Sequence, residues 1–272
     1  MVVGVAGLGL IGASLAKAAS RAGHDVLVWN RTRKVAERAV AEGFAKGILG
    51  EGGQPLSSCD MVWVALPPLK CAPWVAAHAG EFRKGAVVCD AAGVKGAVME
   101  ELKPFALGCG WSFVGAHPMA GRERGGYENS TADLFIGAPL VLTPWPSLGR
   151  APLDMIESFA HSIGFAKIVY ATPAHHDEMI AYTSQLCHAV SFAYASDPHY
   201  FGALDFAGGS FQDMTRISAS DPGMWADLFI ANREAFAAAA GRLADRLKSM
   251  CEAALGRDRD ALKSILDEGH RG

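Results

Sequence analysis

The feature that most constrains the fold is the glycine-rich run GLGLIG, which separates two segments of different periodicity. Residues 2–6 (VVGVA) predict a short buried strand, and residues 11–22 predict a helix that Gly23 ends. Glycines at this spacing permit a tight turn, close approach of a phosphate, and close packing of helix on strand. The alternative is a glycine-rich turn that binds nothing. In its strand–turn–helix context the run instead predicts a dinucleotide site formed by Gly7, Leu8, Gly9, Leu10, Ile11 and Gly12.

Apolar segments alternate with helical ones through the first half of the chain. Further strands are predicted at residues 25–29, 61–65, 86–90 and 112–115, with edge strands at 140–142 and 168–170. Strands that are apolar throughout are covered on both faces, which is typical of a parallel sheet flanked by helices. The predicted fold class is therefore α/β, with an N-terminal Rossmann-type parallel sheet domain at residues 1–155. An all-helical domain is predicted at residues 156–272.

The second half of the chain carries helical signals. Residues 174–196 show helical periodicity. Asp221 and Pro222 form a helix start, with Asp as the N-cap and Pro at the first position. One long helix is predicted from there to about residue 254, followed by a short helix to about residue 268.

Composition excludes several classes of protein. Half of the 272 residues are hydrophobic and 19% are charged, as in a globular enzyme, and the net charge of −3 argues against nucleic-acid binding. No apolar run reaches about 18 residues, so no membrane span is predicted. The six cysteines form no CxxC pair, which argues against a metal site. Scattered cysteines and the lack of a secretory leader predict a cytoplasmic protein.

The end of the second predicted strand bears on cofactor choice. An Asp or Glu there would bond the 2′-hydroxyl of the NAD ribose. This chain has Asn30, followed by Arg31 and Thr32 and then by two further cations, Arg33 and Lys34. A cationic, hydroxyl-bearing segment favours the 2′-phosphate of NADP over NAD, although a solvated basic helix start is the alternative.

Two further segments lie where strands of the predicted sheet end. Leu66 and Pro67 follow the third strand, in a loop that either passes near the nicotinamide or is an ordinary proline-rich turn. His117 lies at the end of a later strand, where ligands bind in parallel sheets. Because an unperturbed imidazole has a pKa of about 6.5, it can accept a proton near neutrality. His117 is therefore the candidate catalytic residue.

Several motifs in one order support a more specific assignment. Together they resemble the prephenate/arogenate dehydrogenase (TyrA) family, and the resemblance covers nearly the whole chain. The motifs are GLGLIGASLA at 7–16, DAAGVK at 90–95, HPMAG at 117–121, APLVLTP at 138–144, AYTSQLCH at 181–188, DMTRI at 213–217 and SDPGMW at 220–225.

The resemblance implies an oxidative decarboxylation in tyrosine biosynthesis, in which a prephenate or arogenate ring gives a hydride to NAD(P). It implies that His117 takes or hydrogen-bonds the ring hydroxyl proton, and that Arg216 binds a substrate carboxylate. His188 and Gln185, which share a face of a predicted helix, are implied substrate-side residues. Structural roles are the alternatives: an ion pair with Asp213 for Arg216, and core packing or helix capping for His188.

One departure from the family pattern concerns Gly93, which is predicted to lie on the cofactor side of the site. Many family members have a serine at this position, thought to help hold the catalytic histidine. Water or Lys95 is the expected replacement. Arg122 and Arg124 add positive charge near the expected substrate entrance, or else belong to a solvated surface.

The resemblance also implies a homodimer formed through the helical domain, consistent with the alanine-rich stretch at residues 224–240. Two other readings remain open. A β-hydroxyacid dehydrogenase or imine reductase would share the glycine-rich start but lack HPMAG, and hydroxyacid dehydrogenases use an interdomain lysine where this chain has none between Lys167 and Lys248. A non-catalytic NADP(H)-sensing protein would have no reason to keep both His117 and Arg216. The motifs do not distinguish prephenate from arogenate.

Overall fold

The computed structural model describes residues 1–50, 52–106, 108–122 and 124–269. Within these ranges, eight strands form one sheet in the order β3-β2-β1-β4-β5-β6-β7-β8. All neighbouring pairs are parallel except β6 and β7, which are antiparallel. The strands are β1 (Val2–Ala6), β2 (Asp25–Trp29), β3 (Gly47–Ile48), β4 (Met61–Val64), β5 (Val87–Asp90), β6 (Ser112–Pro118), β7 (Pro139–Thr143) and β8 (Lys167–Tyr170).

Helices alternate with the strands in the first part of the chain and follow one another in the second. The first five are α1 (Leu10–Arg21), α2 (Arg33–Ala41), α3 (Pro68–Ala77), α4 (Gly96–Ala106) and α5 (Arg150–Ser162). The later ones are α6 (Pro173–Ile180), α7 (Leu186–Ala195), α8 (Gly209–Thr215), α9 (Pro222–Ala231), α10 (Arg233–Leu255) and α11 (Arg259–Glu268). None of the helices described is long and apolar enough to cross a membrane.

Apolar side chains cover both faces of the sheet. One buried cluster includes Val5, Trp63 and Phe159, and a second, on the other face, includes Val64 and Phe113. Successive side chains of a strand point to opposite faces, so adjacent residues such as Trp63 and Val64 enter different clusters. The mostly parallel sheet covered on both faces, and the consecutive helices that follow it, confirm the predicted Rossmann-type domain and helical domain.

Strand β6 is longer than the sequence predicts. The apolar pattern predicts a strand over residues 112–115, but β6 continues to Pro118 and so includes His117. The reason is tertiary: β7 pairs antiparallel with this extension, and His117 lies opposite Val141. Pairing with a neighbouring strand fixes the backbone on both sides of the histidine, which a free loop would not do.

The helical part begins at α6, which Thr172 caps by accepting a hydrogen bond from the backbone N–H of His175. Residue 155 lies within α5, and β8 still belongs to the sheet after it. The division of domains at residue 155 therefore stays a prediction. Between α6 and α7 the helix widens into a π-helical turn at Ala181–Gln185, a feature frequent at functional sites.

The prediction of a single long helix after Pro222 is wrong. The chain forms α9 and α10, which are separated at Asn232, where the backbone leaves helical geometry (φ −119°, ψ 29°). The buried Asn232 amide donates to the Asp177 carbonyl oxygen at 2.8 Å and to Gln185 Oε1 at 2.9 Å. These contacts, made by residues distant in sequence, hold the break in place.

Candidate functional site

A cleft of about 1020 Å³ separates the carboxyl edge of the sheet from the helical domain. It lies beside the point where the strand order reverses at β1, which is where open α/β sheets bind ligands. The sheet side contributes Gly9, Leu10, Ile11, Leu66, Pro67, Gly93 and His117 to its lining. The helical side contributes Gln185, His188, Arg216, Trp225 and Leu228. The structure thus brings ten of the sequence-predicted site residues to one cavity.

The glycine-rich turn leaves space at the end of α1 that faces this cleft. Gly7 adopts a φ of +94°, and a side chain there would come within 2.5 Å of the Ala65 carbonyl oxygen. A side chain on Gly12 would overlap the carbonyl oxygen of Gly7, whereas one on Gly9 would meet nothing within 4 Å. Because the first N–H groups of a helix have no partner within it, the open face at Gly9 suits an anionic group.

The segment that follows β2 lies next to this turn. Asn30 Oδ1 accepts the Leu8 backbone N–H at 3.0 Å, and its Nδ2 donates to the Thr32 carbonyl oxygen at 3.1 Å. The Asn30 side chain therefore ties the glycine-rich turn to the start of α2. Arg31 is exposed. Neutral and cationic groups thus stand where NAD enzymes place a carboxylate.

The backbone before His117 is fixed by a buried ion pair. Lys95 and Asp90 contact each other through Nζ and Oδ2, and both side chains are fully buried. Asp90 Oδ1 also accepts the Ala116 N–H at 3.0 Å, while Lys95 Nζ donates to the Ala116 carbonyl oxygen at 2.6 Å. The pair therefore holds both polar groups of Ala116, the residue next to His117.

The His117 ring belongs to a chain of polar groups that crosses from the sheet to the helical domain. His117 Nδ1 lies 2.9 Å from His176 Nε2, and His176 Nδ1 lies 2.7 Å from Asp177 Oδ1. The Asp177 carboxylate in turn accepts the backbone N–H groups of Lys95 (2.8 Å) and Gly96 (2.7 Å) at the start of α4. Sequence reasoning missed His176 and Asp177, although a His-Asp pair at the start of a predicted helix is a signal that could have found them.

Lys95 does not contact His117 in the way expected of a substitute for the family serine. Its ammonium group is engaged by Asp90 and Ala116, whereas His176 holds the His117 ring. A Cβ at Gly93 would lie 3.9 Å from His117 Nε2, which places this nitrogen on the side of the ring that faces the cleft lining. Burial, and then the electrostatic influence of the neighbouring His176 and Lys95 side chains, hold the pKa of His117 well below its usual value. The imidazole is therefore neutral near pH 7.

On the helical side, His188 stacks on Trp225 with ring centroids 3.7 Å apart. Its Nδ1 lies 3.0 Å from the Ser184 carbonyl oxygen, which can only accept, so Nδ1 carries a proton. Burial lowers the pKa of His188. In the neutral ring, Nε2 is therefore a hydrogen-bond acceptor.

Gln185 is 1% exposed and its amide is engaged by the protein. Its Nε2 donates to the Leu228 carbonyl oxygen at 3.0 Å, and its Oε1 accepts from Asn232. This environment favours a packing role, and the substrate contact predicted for Gln185 stays a prediction. Arg216, by contrast, is an exposed residue of the cleft lining, at the start of a 3₁₀ turn after α8.

Comparisons with known proteins agree with this geometry. The family model described as prephenate dehydrogenase, nucleotide-binding domain, matches residues 15–170. The model described as prephenate dehydrogenase, dimerization domain, matches residues 172–268. The two together account for most of the chain, and they leave the hydroxyacid dehydrogenase, imine reductase and sensor readings without comparable support.

Individual relatives span the whole chain. It is 27% identical to a cyclohexadienyl dehydrogenase of Zymomonas mobilis, over 99% of this chain and 94% of that protein. It is similar to the crystal structure of Synechocystis arogenate dehydrogenase (28% identity, TM-score 0.84, 99% and 98% of the two chains). It is also similar to prephenate dehydrogenase from Aquifex aeolicus in complex with hydroxyphenyl propionate and NAD⁺ (27% identity, TM-score 0.86, 99% and 96%).

Proposed function

The chain belongs to the prephenate dehydrogenase family, and from this premise we propose that it oxidatively decarboxylates prephenate or arogenate while a nicotinamide dinucleotide is reduced. The observation that carries the proposal is the position of His117. Its neutral imidazole lies in the lining of a cleft that the glycine-rich turn and the cationic Arg216 also line. A base, an anion-binding turn and a carboxylate ligand are what the reaction requires.

The glycine-rich turn fits a dinucleotide. Gly7, Leu8, Gly9, Leu10, Ile11 and Gly12 would hold the pyrophosphate at the start of α1, where Gly9 leaves open space. Leu66, Pro67 and Gly93 line the cleft between this turn and His117, so they would contact the nicotinamide end. When bound, the nicotinamide supplies the hydride acceptor.

NADP is the proposed preference over NAD. Asn30 replaces the carboxylate that would bond a 2′-hydroxyl, and its amide is engaged by Leu8 and Thr32. The exposed Arg31 offers a planar cation that suits a phosphate, and the Thr32 hydroxyl can donate to one. An Asn30→Asp variant is expected to shift the ratio of kcat/KM for NADP over NAD toward NAD.

In the proposed mechanism, Arg216 binds a substrate carboxylate and the His188 Nε2 atom accepts a hydrogen bond from the substrate or from water. His117 Nε2 takes the proton of the ring hydroxyl as hydride leaves the same carbon, giving a ketone. The electron pair of the breaking carbon–carboxylate bond then enters the ring, carbon dioxide leaves, and the phenolate oxygen recovers its proton from His117. Gain of aromaticity favours this direction.

A homodimer through the helical domain is also proposed. It is supported by the match to a dimerization domain over residues 172–268 and by exposed apolar side chains on this part of the chain. These include Tyr182 (62% exposed) and, within the stretch 224–240, Ile230 (61%).

The test is an absorbance assay for reduced cofactor, with each of NAD and NADP combined with each of prephenate and arogenate. We expect cofactor reduction with at least one substrate and faster turnover with NADP. Absence of reduction in all four mixtures, with cofactor binding intact, would contradict the proposed function. Equal kcat/KM values for NAD and NADP would contradict only the cofactor preference.

A further inference from the structure

His176 is a buried histidine in contact with the imidazole that the proposed reaction uses as its base. Only 3% of His176 is exposed, and its two ring nitrogens contact His117 on one side and Asp177 on the other. The contact joins the sheet to the helical domain, because His117 belongs to β6 and His176 to α6. His176 lies behind the His117 ring, away from the cleft lining.

The position of each proton in the series His117–His176–Asp177 follows from Asp177, the member farthest from the cleft. Asp177 accepts two backbone N–H groups, those of Lys95 and Gly96, so its carboxylate acts as an acceptor. An acceptor at Asp177 Oδ1 requires a donor at His176 Nδ1, 2.7 Å away. A neutral His176 with its proton on Nδ1 has a lone pair on Nε2. That lone pair must receive the proton of His117 Nδ1, and His117 Nε2 is then left without one.

We propose that His176, oriented by Asp177, is a positioning residue that selects the tautomer of His117 in which Nε2 is the free proton acceptor facing the cleft. The catalytic role of this tautomer rests on the proposed function. The tautomer itself exists with or without substrate. When Nε2 gains the substrate proton, His117 becomes a cation whose Nδ1–H still donates to His176. The charge is then spread toward Asp177 while the ring keeps its orientation. No net proton leaves the pair during turnover, because the phenolate recovers the proton from the same nitrogen.

The first test is spectroscopic and needs no substrate. The full chain is labelled with ¹⁵N-histidine and measured by NMR with and without NADP, and the His117 signals are assigned by their loss in His117→Asn. We expect a protonated Nδ1 and an unprotonated Nε2 at pH 7.5. A proton on His117 Nε2 with Nδ1 bare would overturn the proposal, whatever the enzyme's activity.

The second test is kinetic. His176→Leu removes the side chain that orients His117. Because a misplacement of about 1 Å in an active site can cost about 100-fold in rate, kcat should fall by up to about that factor with the cofactor Kd unchanged. His176→Gln keeps a polar side chain that can reach the former Nε2 position and should restore part of the loss. The matched control is His175→Leu, which changes the neighbouring histidine, whose side chain is 61% exposed, and should leave kcat unaltered.

Combining variants separates positioning from general damage to the fold. If His176 acts through His117, then His176→Leu should cause no further loss in a His117→Asn background. Additive losses, or a His176→Leu variant with wild-type kcat, would overturn the proposal. A wild-type enzyme inactive with both substrates would instead refute the proposed function, and the NMR result would still decide the tautomer.

Discussion

The buried pair of Lys95 and Asp90 allows a stability prediction with a magnitude. Lys95→Met keeps the length of the side chain but leaves the Asp90 carboxylate fully buried without its cation. It also removes the donor that Lys95 Nζ provides to the Ala116 carbonyl oxygen. Removing one partner of a buried pair typically costs about 3–5 kcal/mol. We therefore expect the free energy of unfolding to fall by about that amount.

The melting temperature of Lys95→Met should fall as well. A domain of roughly 150–250 residues loses about 2–4 °C for each kcal/mol, so Lys95→Met should melt about 6–20 °C lower. The assay is thermal unfolding by circular dichroism, together with urea titration at one temperature. The control is Lys103→Met, the same chemical change at an exposed position of α4, which should shift the melting temperature by about 1–2 °C or less.

A second variant checks the cause. Adding Asp90→Asn to Lys95→Met removes the unpaired charge, and the double variant should regain part of the lost stability, although the Ala116 contacts stay weakened. The reasoning would be refuted if Lys95→Met melted together with Lys103→Met. It would also be refuted if the double variant were less stable than Lys95→Met alone.

Four further predictions concern the site. His117→Asn should lower kcat by about 10²- to 10⁴-fold, the range for a general base, with the cofactor Kd unchanged by fluorescence titration; an active variant would exclude His117 as the base. Because the pKa of His117 is lowered and its neutral form accepts the proton, kcat/KM should stay high through pH 7 and fall only below about 6.5; an acid limb above pH 7 would contradict this. Gly12→Ala places a methyl group against the Gly7 carbonyl, and overpacking of about 1–3 kcal/mol should weaken cofactor binding about 5- to 150-fold; unchanged binding by calorimetry would refute the packing argument. Arg216→Ala should raise the KM of the substrate about tenfold or more, the effect of losing a charged hydrogen bond of about 1.5–3 kcal/mol, while the KM of the cofactor stays constant; the opposite pattern would remove Arg216 from the substrate site.

The helix break at Asn232 and the end of strand β6 are two features that the sequence patterns did not predict. The periodicity after Pro222 is helical throughout, yet Asn232 interrupts it because its amide bonds to Asp177 and Gln185, 55 and 47 residues away. Likewise, the apolar run that predicts a strand at residues 112–115 carries no information on β7, which extends β6 past His117. Local patterns report local backbone preference, and these two features depend on partners elsewhere in the chain.

The sequence by itself determined the class of fold, the glycine-rich turn and the imidazole at position 117. Each depends on neighbours within a few residues: a period of two or 3.6, a spacing of glycines, or a motif read in order. Only the tertiary structure decided what surrounds that imidazole. The contact between His117 and His176 spans 59 residues and joins two domains, so no local periodicity can encode it. Folding brings the two rings together because packing of α6 against the sheet buries polar groups, which must then find hydrogen-bonding partners in one another.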